Sequence, residues 1–302
     1  MDENISGVVN IYKEKGYTSH DIVNIVRRAF NRAKTGHTGT LDPQAEGVLP
    51  VCVGKATKLC DTIAADVKEY RAQLTLGVTT DTEDHTGEIL ESRAVECTRE
   101  QAEAAVLSFI GEYEQIPPMY SAVKHEGRKL YDLARSGVEV ERTPRLINIY
   151  DITDIDFSLF DEHKLAFTVR CSKGTYIRTL CKDIGEKLGC GAHMSGLVRT
   201  RSGRFLIEDS ITLDKFRALM EAGETEKVLI PIEKVVGECK SSKVAPKANN
   251  YLYNGNKINV GFLFNKANIE NGDRVLLYDK DGKIAGLYKV RDGFAYPDIM
   301  LC

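Results

Sequence analysis

This chain of 302 residues has no long apolar run, no CxxC pair, no histidines set beside cysteines and almost no net charge. Each absence closes a class of function. A bilayer-spanning helix needs roughly 20 apolar residues in a row, so no membrane span is expected. Met1-Asp2-Glu3-Asn4 is acidic and no apolar stretch follows it, so no secretory leader is expected. The eight cysteines, at 52, 60, 97, 171, 181, 190, 239 and 302, lie mostly among aliphatic residues. A free cysteine there behaves as a small hydrophobe, and the chain is too long for a disulfide-stapled miniprotein. Reduced thiols and a cytoplasmic protein are the expectation. The six histidines are not at zinc spacing from cysteines, so no metal site is indicated. Neither GxGxxG nor GxxxxGK[ST] occurs, which leaves a phosphate-binding α/β enzyme built on the Gly36–Gly39 loop without support. No internal repeat and no low-complexity tract is present.

What is there fits a soluble globular protein with room for two domains: 42% hydrophobic and 28% charged residues. The net charge of −3 argues weakly against a nucleic-acid partner, but its distribution reverses the argument. Lys164 to Arg204 holds nine Lys/Arg against Asp183 and Glu186. Lys124 to Arg145 holds six Lys/Arg against four acids. A basic run is usually a solvated face, yet phosphate binding depends on a local basic face rather than on the total.

Periodicity predicts strands at Val8–Tyr12, Val48–Val53, Glu69–Leu76, Leu146–Phe157 and Leu165–Cys171. It predicts helices after the cap Thr18-Ser19, over Ala56–Ala65, over Arg99–Phe109 and over 175–188. Thr79–Gly87 reads as an acidic loop. Gln115-Ile116-Pro117-Pro118-Met119-Tyr120 cannot continue a helix and opens an inserted, mobile segment to about 145, with a short helix at Leu130–Arg135. Cys239–Asn250 reads as a lysine-rich linker. Tyr251–Cys302 reads as short strands, with a hairpin turning at Asp279-Lys280-Asp281-Gly282.

The most informative stretch is Gly36-His37-Thr38-Gly39-Thr40-Leu41-Asp42-Pro43. Pro43 disfavours the helical region for Asp42, and the glycines permit turns or close approach that a Cβ would block. A carboxylate is displayed from a stiff loop beside a buried strand. For an isolated Asp-Pro the ordinary reading is a solvated turn.

The whole string resembles the catalytic motif of the TruB-type tRNA pseudouridine synthases. Other segments carry the same resemblance: Lys13-x-x-Gly16-x-Thr18-Ser19, Tyr70-Arg71-Ala72, Gly77-x-x-Thr80-Asp81-Thr82, Gln115 to Lys124, Cys171 to Arg178, and Gly191 to Leu197. The resemblance implies a mixed α+β pseudouridine synthase fold around a largely antiparallel central sheet. It implies a catalytic domain over 1–240 with a thumb insertion near 115–145, and a small β-rich PUA-like RNA-binding domain over 241–302.

It also implies site residues. Asp42 acts on the ribose or the base, whether by covalent addition or by abstracting a ribose proton. Tyr70 stacks on the flipped uracil, and its hydroxyl is a candidate for helping the C5 proton leave. Arg178 grips the carboxylate in two-pronged geometry. Leu197 walls the pocket, and His37 enters the RNA loop. Lys13, near the tyrosine, joins Tyr120, Lys124, Lys173, Tyr176 and Arg199 as substrate-side or RNA-binding residues. The bland alternatives are a strand tyrosine, a phosphate-binding arginine, a core leucine, a backbone-bonded histidine and a strand-end lysine. No cofactor and no obligate protein partner are implied; the partner is the T-arm stem-loop of tRNA, bound by a monomer.

The sequence departs from the family pattern at Glu14, where proline is usual, at Val198, where a basic residue is usual, and at His85, where a small one is. Two rivals remain open: a guide-RNA-dependent synthase subunit, and an RNA-folding protein in which catalysis is secondary. If the 164–204 run meets phosphates, tRNA affinity falls steeply as salt rises, and salt-insensitive binding rules that face out.

Overall fold

The structure, a computed structural model, describes residues 5–64, 67–138, 140–237 and 239–302. The chain opens with β1 (Gly7–Lys13) and α1 (Ser19–Ala29). Thr18 caps α1 in a reciprocal capping box with Asp21, as the cap signal predicts. β2 (Thr35–His37) and β3 (Glu46–Val53) bracket the glycine-rich loop. A 3-10 turn over Gly54–Leu59 then leads into α2 (Cys60–Ala64). The single helix expected over 56–65 is therefore split, and Ala65 lies outside the described residues.

β4 (Lys68–Leu76) alternates as its sequence predicts, with Tyr70, Ala72, Leu74 and Leu76 inward. The acidic stretch, expected only as a loop, is the tip of a hairpin of β5 (Val78–Thr80) and β6 (Ile89–Ser92). α3 (Arg99–Leu107) and β7 (Gly111–Gln115) follow. The insertion carries β8 (Lys124–His125), β9 (Arg128–Lys129) and α4 (Leu130–Arg135), the last where a short helix was expected. β10 (Arg145–Asp156), β11 (Lys164–Cys171) and α5 (Ile177–Lys187) match the periodicity. β12 (Ala192–Ser202) carries no alternating apolar pattern and was not expected. β13 (Phe205–Leu206), α6 (Leu213–Glu221), β14 (Ile230–Pro231) and α7 (Ile232–Val235) complete the first sheet and its cover.

That sheet has ten strands in the order β14-β1-β3-β12-β4-β11-β10-β7, with β2 beside β3 and β13 beside β12. Among the described residues, every pairing between its strands is antiparallel except β12 with β3. One face packs on α1, α3, α5 and α6 through Val9, Ile11, Leu49, Val51, Ala72, Phe167, Ile22, Leu180 and Phe216.

The second sheet takes β15 (Lys240–Lys243), β16 (Ile258–Asn259), β17 (Arg274–Tyr278), β18 (Ile284–Arg291) and β19 (Phe294–Met300). The stretch expected as a linker instead supplies β15, which pairs in parallel with β17. Its lysines point outward from an edge strand, which hides the strand in a polar composition. α8 (Asn249–Tyr253) opens a segment expected to be all strand.

The two sheets share a core. Val8, Val48 and Cys52, on the far face of β1 and β3, pack with Leu59, Leu276, Leu287 and Leu301. Leu301 is fully buried at the end of the chain. Leu301→Ala should lower the unfolding free energy in urea by about 2–4 kcal/mol, the usual cost of a core truncation. Phe264→Ala, at a side chain that is 66% exposed, should stay within about 0.5 kcal/mol. Equal effects of the two would count against a shared core.

Candidate active site

Four strands present one rung of residues beneath the glycine-rich loop. Lys13 on β1 faces Gly47 on β3. Gly47 faces Arg199 on β12, and Arg199 faces Tyr70 on β4. The next β12–β4 pair on the same face is Leu197 with Ala72. Residues scattered over nearly 190 positions of sequence thus share one face of one sheet.

Thr38 N–H still donates to the Pro50 carbonyl of β3 at 3.2 Å, but from Gly39 to Ala45 the loop has no ladder partner, so its peptide groups need others. Gly39 N–H donates to His37 Nδ1 at 3.2 Å. The Gly39 and Thr40 carbonyls accept from Arg199 Nη2 at 3.1 Å and Nη1 at 3.3 Å. Ser19 Oγ accepts from Leu41 N–H at 2.8 Å and donates to its carbonyl at 3.0 Å. The Asp42 carbonyl accepts from Ala45 N–H at 3.0 Å. The Pro43 carbonyl accepts from Gly16 N–H at 2.9 Å and from Lys13 Nζ at 3.2 Å.

Asp42 projects from this loop with its side chain 40% exposed. Its Oδ2 lies 3.0 Å from Arg178 Nε, and Arg178 is 7% exposed. The expected two-pronged grip is not what forms. Arg178 Nη1 donates to the Thr82 carbonyl at 3.1 Å and Nη2 to the Tyr120 carbonyl at 2.8 Å. The guanidinium is thereby fixed by backbone and meets Asp42 as an ion pair through Nε.

Tyr70 is nearly buried, and burial raises its phenol above the usual 10, with the Arg199 charge pulling the other way. The ring is therefore a neutral phenol at pH 7, a poor base and a good stacking surface. Leu197 is buried next to it on the sheet face. His37 is half-buried, and burial lowers its pKa, so the neutral ring with Nδ1 accepting from Gly39 is the consistent form. This matches the bland alternative of a backbone-bonded histidine.

Lys13 was expected near the tyrosine and Arg199 on the RNA side, and both are buried. Lys13 Nζ donates to the carbonyls of Glu14, Tyr17 and Pro43. All three Arg199 nitrogens donate to carbonyls, the third being Nε to Val48 at 2.8 Å. A donor already occupied inside the protein has no bond to give a phosphate. Lys173 is exposed and Tyr176 half-buried, just before α5. Gln115 holds the Tyr176 backbone through both its amide atoms. Tyr120 is half-buried, with its hydroxyl 3.4 Å from Asp81 Oδ2. The side chain of Lys124 lies outside the described set.

Sequence reading missed the anchoring of the acidic loop. Glu83 is buried in a left-handed conformation at φ +62°, accepts from Thr179 Oγ1 at 2.6 Å and pairs with Lys182 at 3.2 Å. Both partners lie on α5 with Arg178, so the loop carbonyl that holds Arg178 is tied to the helix that carries it. Among the described residues, no group of three or more His, Cys, Asp and Glu side chains is placed to hold a metal. Among the same residues, no helix is long and apolar enough to cross a membrane.

Residues 27–177 match the sequence model of the TruB family pseudouridylate synthase N-terminal domain. Residues 178–237 match that of the tRNA pseudouridylate synthase B C-terminal domain. The chain is 48% identical over 274 residues to tRNA pseudouridine synthase B of Alkaliphilus oremlandii (strain OhILAs), covering 91% of this chain and 90% of that one. It is 42% identical over 289 residues to tRNA pseudouridine synthase B of Bacillus subtilis (strain 168), covering 94% and 93%. Among solved structures, a chain of a Cbf5-Nop10-Gar1 complex matches with a TM-score of 0.70 at 29% identity, over 98% of this chain and 85% of that one.

Burial lowers the Lys13 amine from 10.5 to about 8, with Asp42 and Glu46 opposing the shift. Between those values the unfolded chain holds a proton that the folded chain has released. The contribution of this group to stability therefore rises with pH across the window and is lost as pH falls through about 8. The unfolding free energy of wild type relative to Lys13→Met should climb by about 1 kcal/mol per pH unit there. Urea melts at three pH values measure it, and a flat difference refutes the shift.

Proposed function

We propose that this chain, which belongs to the TruB family of pseudouridylate synthases, isomerises the T-loop uridine at position 55 of tRNA to pseudouridine. It is an isomerase that acts on tRNA. The single observation that carries the residue assignment is the Asp42–Arg178 ion pair on a loop tied down by Arg199, Lys13 and Ser19.

The reaction breaks the N1–C1′ bond, turns the base and joins C5 to C1′. Nothing is added or removed, so it balances without a redox partner or a second substrate. A base stacked in folded RNA must first be extruded. Asp42, 40% exposed, then meets the ribose or the base with its carboxylate, which serves covalent addition and proton abstraction alike. Tyr70 offers its ring face to the uracil, and its neutral phenol makes stacking its main role. Leu197 closes the apolar side. His37 stands at the mouth of the loop, where a neutral ring can fill space left by a displaced base. Lys173 and Tyr176, before α5, and Tyr120 and Lys124, in the 115–145 insertion, are the RNA-side residues. The unit to about residue 240 carries the chemistry, and the second sheet is a PUA-like module that grips RNA. The protein acts alone, as a cytoplasmic monomer.

A second reading has one observation behind it: the matched solved chain comes from a multi-protein complex. The same experiment separates the two. Purified chain is incubated with unmodified tRNA transcript and no additions, and pseudouridine is mapped base by base. Wild type should convert the T-loop uridine, and Asp42→Asn should fall to background while binding tRNA within a few-fold of wild type. Tight binding without conversion by wild type would favour a partner-dependent subunit.

A further inference from the structure

We infer that Arg199 is a positioning residue for this reaction: its guanidinium bolts the Asp42 loop to the sheet rung that carries Tyr70, and so sets the carboxylate's place relative to the ring. The inference rests on the proposed role of Asp42. Arg199 is 1% exposed, among the largest fully buried side chains. A charge at that depth is stable only when fully paired. Here the pairing is done by carbonyls that straddle Asp42 in the chain, Gly39 and Thr40 before it and Val48 after it. One rigid group therefore closes the loop around the reactive residue.

The neighbouring backbone is shaped to admit it. Gly47 has φ +103°, and a Cβ there would lie 2.2 Å from the Arg199 carbonyl oxygen. β3 can lie in parallel against β12 at this rung only because that Cβ is missing. Gly39, at φ +139°, leaves its would-be Cβ 3.6 Å from Nη1. On its other side Arg199 pairs with Tyr70 across β12 and β4. The same residue is thus a ladder neighbour of the ring and a hydrogen-bond donor to the loop. Three diverging nitrogens are needed for three carbonyls, and a lysine brings one.

The test is Arg199→Lys, with Arg199→Gln as a second variant. kcat and KM are measured on tRNA, tRNA affinity is measured across a salt series, and amide hydrogen exchange is read without RNA. A reacting group displaced by about 1 Å costs roughly 10²-fold in rate, so kcat should fall by about 10²-fold in the lysine variant. Affinity and its salt slope should match wild type, and exchange should quicken at residues 38–43 while β4 and β11 stay protected. Wild-type kcat in the lysine variant overturns the inference. So does weaker binding with a shallower salt slope, which marks a phosphate contact. Protection lost evenly across the sheet also overturns it, by marking general support of the fold. The exchange arm decides the loop claim even for a variant of reduced stability. A failure of the underlying reading shows separately, as wild type without turnover.

Discussion

From Gly39 to Ala45, around Asp42, the peptide groups bond to no strand or helix backbone, and buried peptide groups cannot go unpaired without a cost of about 1–3 kcal/mol each. The site follows from how that constraint is met. The loop borrows its partners from side chains: a guanidinium from β12, an ammonium from β1 and a hydroxyl from the first turn of α1. Burying two cations is tolerable because every nitrogen of Arg199 and the Lys13 amine donate to carbonyls. Two polar requirements that are each unfavourable alone cancel when placed together. The result is an irregular loop braced by the sheet below it, from which one carboxylate projects half-exposed.

Arg178 shows the same economy of parts. A bidentate grip would have tied up both carboxylate oxygens. Instead two nitrogens are spent on the carbonyls of Thr82 and Tyr120, one from the hairpin tip and one from the insertion. The guanidinium therefore reports on three segments at once. Its ion pair with Asp42 holds its place only while the acidic tip and the insertion hold theirs. Glu83, through Thr179 and Lys182, fixes the tip to the helix that carries the arginine.

The strands with clean alternation were legible from the sequence, and β4 follows it residue by residue. So was the capped helix α1, because Thr18 and Asp21 act within one turn. β12 was not legible: its inward positions include Arg199, which burial would normally exclude. Only carbonyls brought from residues 39, 40 and 48 make that burial tolerable, and no local pattern encodes them. β15 was hidden for the opposite reason, since an edge strand carries lysines. Asp42 and Arg178 were found through motifs and do meet. Arg199 was placed on the RNA side, and it lies in a basic run that suggests phosphate contacts, whereas Lys13 was placed near the tyrosine through the resemblance alone. Charge alone does not say which way a strand residue points.

The strand that follows the loop is held from behind as well. Val48 and Cys52 turn away from the helices and meet Leu276, Leu287 and Leu301 of the second sheet, while Leu49, Val51 and Val53 face the first core. A strand covered on both faces reads as a continuous apolar run, which is why Val48–Val53 shows no alternation. The backing is what makes the loop's attachments effective. A guanidinium bonded to Val48 can fix Asp42 only if Val48 itself does not move. The second sheet thus lends stiffness to the site from behind β3, and a weakness in that shared core would reach Asp42 through β3.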